Sequence, residues 1–272
     1  MASISEKDRL AFFTRTADMY FDSMPHWHTY AQYSLDAAPP LTADSVVHDN
    51  AAGPGIVTNR IIINARKSGA PLPKLVTTDI NPAMIEVAKK QCPEAETKVM
   101  DSRNLDFPSG TFTHSFSNFL LISLFPLKDN VAFATSVRKT MAPGGTAVFA
   151  IWYRLDWMTI LKDAANAVRP DGATFVPDDS MSEETVRKIL ADGGFSADGI
   201  TITSREGIQS PITGKFREMM EDTAGLIGGM MTKSWSEEEK KEWPVKVKMR
   251  FDKAAKEETR YPMAAWIVSV KC

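Results

Sequence analysis

In Val46-Val47-His48-Asp49-Asn50-Ala51-Ala52-Gly53-Pro54-Gly55, a short apolar run is followed by an acid and then by small residues. This pattern predicts a buried strand, over residues 45–49, that enters a tight turn. Small residues in such a turn let a ligand approach the backbone closely, because a Cβ atom would occupy the space that the ligand needs. Taken alone, the stretch fits a strand-to-helix turn in any α/β protein equally well.

Similar short runs recur along the chain and alternate with helical segments. The further runs that we predict as strands of the same sheet cover residues 74–79, 113–118 and 146–152. The intervening segments with helical spacing cover residues 56–68, 82–91 and 131–141. Strands that alternate with helices predict a parallel α/β sheet.

The two ends of the chain add further elements. Apolar positions over residues 5–33 recur at intervals of three and four until Pro25 interrupts them, which predicts two short helices. In the second half we predict helices over residues 183–191 and 216–227 and another that begins at Ser236. Strands are predicted over residues 199–203 and 264–270.

Composition excludes several classes of protein. The chain of 272 residues has 32 Lys and Arg against 34 Asp and Glu, and this balance argues against a nucleic-acid partner. Two cysteines are too few for a disulfide framework or a cysteine-based zinc site, and no set of residues has metal-ligand spacing, so we expect no metal. The longest apolar stretch is far shorter than the ~20 residues of a spanning helix. With charged rather than apolar first residues, we expect a cytoplasmic protein without a membrane span.

Acidic and amide side chains follow the predicted strand ends. Asp79 ends the second strand, where open α/β sheets bind ligands, and a carboxylate there can accept both hydroxyls of a ribose. Asp101 could accept from an exocyclic adenine amine, and Asn118 lies where reacting groups are usually displayed. A dinucleotide fits the loop poorly, because Thr58 takes the third glycine position and Asp49 would repel a pyrophosphate. The pattern favours a nucleoside cofactor without phosphates.

Four motifs together resemble a known family. They are the loop from Asp49 to Gly55, Asp79-Ile80-Asn81-Pro82-Ala83-Met84, Asp101-Ser102, and Arg138-Lys139-Thr140-Met141-Ala142-Pro143-Gly144-Gly145. Residues 46–152 resemble the class I, seven-stranded methyltransferases that depend on S-adenosylmethionine, and more distantly the chain resembles fungal natural-product methyltransferases. The resemblance implies S-adenosylmethionine as the cofactor and S-adenosylhomocysteine as the product. The candidate cofactor-binding residues are Tyr20, Asp49, Ala51, Gly53, Gly55, Asp79, Ile80, Met84, Asp101, Ser102 and Asn118.

Two features depart from the family's pattern. Asp49 and Asp79 are 30 positions apart, whereas ~20 is typical between the glycine loop and the ribose acid. A loop insertion over residues 68–73 accounts for the difference. Ala51 stands where the family usually has glycine, which requires a negative φ or a small strain there.

Aromatic and methionine side chains outside these motifs predict an apolar pocket for the methyl acceptor. The candidates for substrate contact are Trp27, Tyr30, Trp152 and Met220. His28 is the candidate catalytic base, since a hydroxyl becomes a good nucleophile only when its proton is removed. The alternative is that these aromatic side chains belong to helix faces packed on the sheet and that His28 has a structural role.

We therefore expect an α/β fold with a seven-stranded, mostly parallel, Rossmann-like methyltransferase sheet. Residues 1–272 are expected to form a single domain with a helical lid (1–40), a cofactor-binding core (41–206), a helical insertion (207–261) and the last strand (262–272). The expected activity is methyl transfer to a hydroxyl, or else a thiol or amine, of a small apolar or aromatic metabolite, by a monomer or homodimer. The alternatives are a pericyclase or isomerase that binds the same cofactor without transferring the methyl group, and a catalytically silent binding subunit.

Overall fold

The computed structural model describes residues 5–23, 25–121, 127–170, 182–206, 210–211, 214–232 and 235–272. The strands in these ranges are β1 (Val46–Asn50), β2 (Lys74–Asp79), β3 (Glu96–Val99), β4 (Phe112–Asn118), β5 (Met141–Leu155), β6 (Ile200–Glu206), β7 (Ser210–Pro211), β8 (Arg260–Tyr261) and β9 (Met263–Lys271). Seven of them form one sheet in the order β3-β2-β1-β4-β5-β9-β6, and β7 pairs with β8. The predicted seven-stranded sheet is confirmed.

The central strands of this sheet run in the same direction. β1 is parallel to β2 and to β4, and the outer pairs β2–β3 and β4–β5 are parallel as well. β9 runs opposite to β5, because Gly144 donates a backbone hydrogen bond to Cys272 near the start of β5, and Asp156 donates one to Pro262 just past its end. The sheet is therefore mostly parallel. Its strand order reverses between β1 and β4, and a crevice for ligands is expected at their carboxyl ends.

The helices in the described ranges are α1 (Glu6–Ser23), α2 (Pro25–Asp36), α3 (Ile56–Ser68), α4 (Pro82–Gln91), α5 (Leu127–Thr140), α6 (Met158–Val168), α7 (Glu183–Asp192), α8 (Gly214–Met231) and α9 (Glu237–Lys256). Local chemistry fixes their ends. α4 begins with Pro82 after Asn81, whose side chain accepts from the Ala83 N–H group. α9 begins with a capping box in which Ser236 and Glu239 each accept from the other's backbone N–H group.

The start of β5 differs from its prediction. Pro143-Gly144-Gly145 is expected to separate a helix from a strand that begins at residue 146, yet β5 already begins at Met141. The pairing with the chain end extends the strand, since Gly144 donates to the Cys272 carbonyl and Cys272 donates to the Gly145 carbonyl. Sequence alone does not show this pairing because its partners lie at opposite ends of the chain's second half.

The chain forms two compact units. The sheet unit contains the described parts of residues 25–153, 179–205 and 265–272, and the helical unit contains those of residues 1–24, 154–178 and 206–264. α2 packs against α3 in the sheet unit, whereas α1 packs against α8 and α6 against α9 in the helical unit. Our division of a single domain into lid, core, insertion and last strand remains a prediction.

The core of the sheet unit lies between the sheet and the helices α5 and α7. Phe133 of α5 packs edge-on against Phe149 of β5, and Phe149 packs in the same way against Phe195. All three rings are buried, and aliphatic side chains from α7 and β9 complete the cluster. This packing holds β4 and β5 in place and leaves their carboxyl ends for other contacts. None of the helices in the described ranges has the length and apolar character needed to cross a membrane.

Candidate functional site

The loop after β1 has a backbone that favours glycine. Ala51, Gly53 and Gly55 have φ values of 52°, 55° and 85°, all in the left-handed region. The loop is tied to the neighbouring strand by a hydrogen bond from the Ala52 N–H group to the Thr78 carbonyl. Of the two expectations for Ala51, a negative φ is therefore wrong. Its backbone has the small strain instead.

Gly55 allows α3 and α4 to approach closely. A Cβ atom at this position would lie 3.2 Å from the sulfur of Cys92 and 3.3 Å from the Cβ of Ala88. The Cys92 thiol is buried and lies 3.4 Å from the Gly55 carbonyl oxygen, to which it donates. Burial raises the pKa of Cys92 to about 12, so this thiol stays protonated and structural. The candidate role of Gly55 in cofactor binding thus combines with a packing role.

Asp79 at the end of β2 is held by two backbone donors. Its Oδ2 accepts from the Gly53 N–H group at 2.8 Å, and its Oδ1 accepts from the Asn81 N–H group at 2.8 Å. Burial raises the pKa of Asp79, while these two hydrogen bonds act in the opposite direction. A carboxylate has about four acceptor positions, so Asp79 has the capacity for two more donors. These two acceptor positions fit the paired hydroxyls of a ribose, which donate.

Asp49 lies on β1 and has a different environment. Its carboxylate is buried, and its Oδ2 accepts from the Thr58 N–H group at 2.9 Å and from the Thr58 hydroxyl at 2.7 Å. These bonds anchor the first turn of α3 to the strand. Burial raises the pKa of Asp49 to about 6, although the hydrogen bonds from Thr58 oppose the shift. Its placement among the cofactor-binding residues stays a prediction from sequence.

Asn50 connects the end of β1 to the segment after β3. Its side-chain oxygen accepts from the Ser102 hydroxyl at 2.8 Å and from the Thr78 hydroxyl at 3.4 Å. The Thr78 hydroxyl also lies 2.9 Å from Nε2 of His48. His48 is fully buried, and burial lowers its pKa to about 3, so the imidazole is neutral. Sequence reasoning missed Asn50 as the partner of Ser102, because the two residues come together only when β1 takes its place in the sheet.

Asp101 has a cationic partner that sequence reasoning also missed. The Asp101 Oδ2 accepts from Nη2 of Arg103 at 2.6 Å, and both carboxylate oxygens lie 3.0 Å from Nε of the same side chain. Arg103 also donates through Nη1 to Oδ2 of Asp129, in the first turn of α5. The positive charge two residues after Asp101 was the available signal in the sequence.

An aromatic cluster lies at the carboxyl end of β4 and beside the last residues of β5. Phe119 and Trp152 stack with ring centroids 4.0 Å apart and an interplanar angle of 5°. From α2, the Trp27 ring lies 4.8 Å from Phe119, and the Tyr30 ring lies 4.7 Å from Trp152. Three of the four substrate-contact candidates thus belong to this cluster, since Trp27 and Tyr30 both contact Trp152.

Phe119 is the member of the aromatic cluster that the sequence did not indicate. Its φ of 66° is left-handed, a conformation that is costly for a bulky side chain. Its N–H group donates to the Ala150 carbonyl at 2.7 Å, which fixes it at the end of β4. No residue type marks such a position in advance, since the conformation is imposed by the packing around it.

α2 also carries His28 and is joined to the end of β4. The Ser34 hydroxyl donates to the side-chain oxygen of Asn118 at 2.9 Å, so Asn118 contacts the helix that bears the aromatic residues. His28 lies half-buried on α2, one position after Trp27. Tyr30 has no exposed surface, and burial, reinforced by Tyr33 and Tyr153, raises its pKa above the ordinary value, so Tyr30 cannot act as a base near neutral pH.

The remaining candidates lie elsewhere. Met84 is buried on α4, with its sulfur 4.0 Å from the position of a Cβ on Gly53, and Ile80 follows Asp79 at half-buried exposure. Tyr20 on α1 and Met220 on α8 belong to the helical unit, where Tyr20 packs edge-on against Phe13. Their roles toward cofactor and substrate stay predictions.

A cleft of about 550 Å³ lies at the other edge of the sheet unit. It is lined by α2, α3 and the segments that precede β1 and β2, including the loop insertion predicted at residues 68–73. Because these segments precede the strands, the cleft is on the amino side of the sheet, away from the loops of Gly53, Asp79 and Asp101. In the described ranges no group of three or more His, Cys, Asp or Glu side chains is placed to hold a metal ion.

Comparison with known proteins identifies relatives of this chain in sequence and in fold. Residues 47–145 match the model of a family described as a methyltransferase domain. The methyltransferase ktnA of Aspergillus niger is 25% identical over 246 residues, which cover 80% of this chain and 79% of that protein.

Two solved structures resemble the fold over most of its length. The match to a protein from Bacillus halodurans covers 89% of this chain and 98% of that protein's chain, with a TM-score of 0.53 and 15% identity. The cyclase SpnF matches 90% of this chain and 80% of its own, with a TM-score of 0.50 and 12% identity. At these identities the structural matches establish the fold alone.

Proposed function

Since the chain is a Rossmann-like methyltransferase that uses S-adenosylmethionine, of the type found in fungal secondary metabolism, we propose that it methylates a small, largely apolar or aromatic metabolite on oxygen. The aromatic cluster of Trp27, Tyr30, Phe119 and Trp152 carries the proposal. It lies at the carboxyl end of β4 and beside the last residues of β5, on the same edge of the sheet as Asp79. A planar apolar acceptor would find matching surfaces there.

The proposed cofactor contacts come from three loops of the sheet unit. Asp79 accepts the two ribose hydroxyls, and the backbone of Ala51 and Gly53 lets the ligand approach closely. Asp101 accepts from the adenine amine, beside Ser102. When bound, the cofactor supplies a methyl group made electrophilic by its cationic sulfur. The protein then has to align the acceptor with that methyl group and exclude water.

The aromatic cluster would perform both tasks. Tyr30 and Trp27 are buried and support the other two rings from behind, while Phe119 and Trp152 are half-buried and retain surface for a ligand. Replacing Trp152 with Leu should raise KM for an aromatic acceptor at least several-fold, because stacking surface is lost. Affinity for S-adenosylhomocysteine should stay within about twofold, and a parallel loss of both would place Trp152 in the cofactor site or in the folding core instead.

The activity is tested by incubation with methyl-labelled S-adenosylmethionine and matched acceptors that present a phenol, a thiol or an amine on the same ring system. We expect labelled product from the phenol. Label in the thiol or amine alone would overturn the preference for oxygen, and no label in any product would overturn methyl transfer to acceptors of this class.

The ribose contact is tested separately by calorimetry with S-adenosylhomocysteine. Asp79→Asn should weaken binding at least about tenfold, because a charged acceptor of two hydrogen bonds is lost. Asp106→Asn is the matched control, since Asp106 is an exposed carboxylate of the same unit. Unchanged affinity in a folded Asp79 variant would contradict the site.

His28 is the proposed base for a hydroxyl acceptor. His28→Gln should lower kcat for the phenol by about 10²-fold or more with KM nearly constant, because general-base assistance is worth about that much. A thiol acceptor serves as the control, since it ionises without help and its turnover should change little. A His28 variant with normal kcat for the phenol would remove the residue from the mechanism.

The same experiment tests one alternative function. A cyclase shares this fold, so a pericyclase or isomerase that binds the cofactor without consuming it remains the second candidate. Its signature would be an isomerised product of unchanged mass, formed equally well with S-adenosylhomocysteine. A labelled, methylated product would instead identify the reaction as methyl transfer.

A further inference from the structure

We propose that Arg103 is a positioning residue that fixes the Asp101 carboxylate and thereby sets the preference of the site for an amino-bearing purine. The inference rests on the proposed role of Asp101 as the acceptor of the adenine amine. In this role Arg103 acts on the cofactor only through Asp101.

The contact between the two side chains is a planar fork. Nη2 of Arg103 lies 2.6 Å from Oδ2 of Asp101, and Nε lies 3.0 Å from each carboxylate oxygen. The backbone N–H group of Arg103 also donates to Oδ1 at 2.9 Å. A fork of this kind fixes the plane of the carboxylate as well as its position, because the guanidinium is rigid and flat.

The same guanidinium is held from a second side. Its Nη1 donates to Oδ2 of Asp129 at 3.1 Å. Asp129 belongs to the first turn of α5, so Arg103 connects the loop after β3 to a helix of the core. The exposed fractions are 24% for Arg103, 35% for Asp101 and 20% for Asp129, so the group is partly buried rather than a solvated surface pair.

The fork determines what the carboxylate can still accept. With about four acceptor positions in all, Oδ1 is occupied by the Arg103 N–H and Nε groups, and Oδ2 by Nη2 and a share of Nε. The fork also fixes the direction in which the carboxylate meets an external donor. An amine supplies that donor, whereas a carbonyl at the same ring position would place an acceptor against an acceptor.

Removal of Arg103 should therefore change discrimination more than binding in general. Without the fork, the partly buried Asp101 carboxylate can rotate, and an amine must order it at the cost of side-chain entropy. A deaminated purine gains nothing from the ordered carboxylate and loses little when it becomes mobile. The ratio of the two affinities is thus the quantity that reports positioning.

The experiment measures the Kd values of S-adenosylhomocysteine and S-inosylhomocysteine, which has a carbonyl in place of the amine, by calorimetry. The wild type should prefer the amino form by roughly tenfold or more. Arg103→Ala should reduce this ratio to about threefold or less, chiefly by weakening S-adenosylhomocysteine. Arg103→Lys keeps the charge but cannot form the fork, so it should reduce the ratio as well, and it replaces the Ala variant if that variant does not fold.

Arg154→Ala is the matched control. Arg154 forms a fork of the same kind with Asp156, two residues away, but belongs to the helical unit. Its removal should leave the ratio unchanged. A parallel loss of both ligands in the Arg103 variants, with the ratio preserved, would make Arg103 a merely structural residue and overturn the inference.

Asp101→Asn separates this inference from the proposed site. If that variant keeps the wild-type ratio, Asp101 does not read the base, and the proposed adenine contact fails together with the inference. If Asp101→Asn lowers the ratio while neither Arg103 variant does, the adenine contact stands and the positioning role of Arg103 is wrong.

Discussion

Ala51 has a backbone conformation that is unfavourable for its side chain. At a φ of 52°, alanine costs about 1 kcal/mol or more relative to glycine in the folded state. Glycine offsets part of this advantage, because its unfolded state is more flexible. We expect Ala51→Gly to change the free energy of unfolding by between zero and about +1 kcal/mol. Ala52→Gly is the control, because Ala52 is not among the left-handed residues, and it should destabilise the protein by about 0.5–1 kcal/mol. Denaturant unfolding that ranks the two variants in the opposite order would contradict this account.

Asp49 should make stability depend on pH in a direction unusual for a carboxyl group. Its pKa is about 6 in the folded protein and 3.8 ordinarily, so between these values the folded state binds a proton that the unfolded state lacks. Stability from this group is therefore greatest below pH 4 and decreases as the pH rises through 6. Asp49→Asn keeps an oxygen acceptor for the Thr58 N–H group and does not titrate.

The measurement is the difference in unfolding free energy between wild type and Asp49→Asn across this pH range. The wild type should lose roughly 1–3 kcal/mol relative to the variant between pH 4 and pH 7. The buried His48 titrates in both proteins, so its own effect cancels in the difference. A difference that is flat with pH would show that Asp49 keeps an ordinary pKa.

At the scale of elements, α8 packs against α9 at a glycine. A Cβ on Gly228 would lie 2.5 Å from Nε1 of the buried Trp243, whereas a Cβ on Gly225, one turn earlier, meets nothing within 4 Å. We expect Gly228→Ala to destabilise the protein by about 1–3 kcal/mol through overpacking. Gly225→Ala should stabilise it by up to about 1 kcal/mol, because alanine has the higher helix propensity. Thermal unfolding checks both, and equal effects of the two substitutions would contradict the packing argument.

At the scale of the whole molecule, ligand binding should protect one edge of the sheet unit. At about a hundred times its Kd, S-adenosylhomocysteine should add about 2.7 kcal/mol to stability. Hydrogen exchange should then slow in the loops around Gly53, Asp79 and Asp101. Amide groups that line the cleft on the amino side, such as those of Leu41 and Ser68, should exchange as before. Protection confined to this cleft would move the cofactor site there.

The sequence by itself determined the kind of fold and most of its strands and helices. Apolar runs, glycine turns and capping residues are local signals, so the alternation around residues 46–152 sufficed for a parallel sheet, and the acids at its strand ends sufficed for the class of cofactor. Ser236 likewise caps the helix that it was expected to begin.

Only the tertiary structure decided which partner each of these side chains has. Asp49 and Asp79 look alike in sequence, yet the buried Asp49 accepts hydrogen bonds from Thr58. Asp79 accepts from two backbone N–H groups and can accept further hydrogen bonds. The stacking of Phe119 on Trp152 likewise follows from packing. Secondary structure depends on local periodicity, whereas side-chain partners depend on register, rotamer and burial, which are fixed when distant segments pack together.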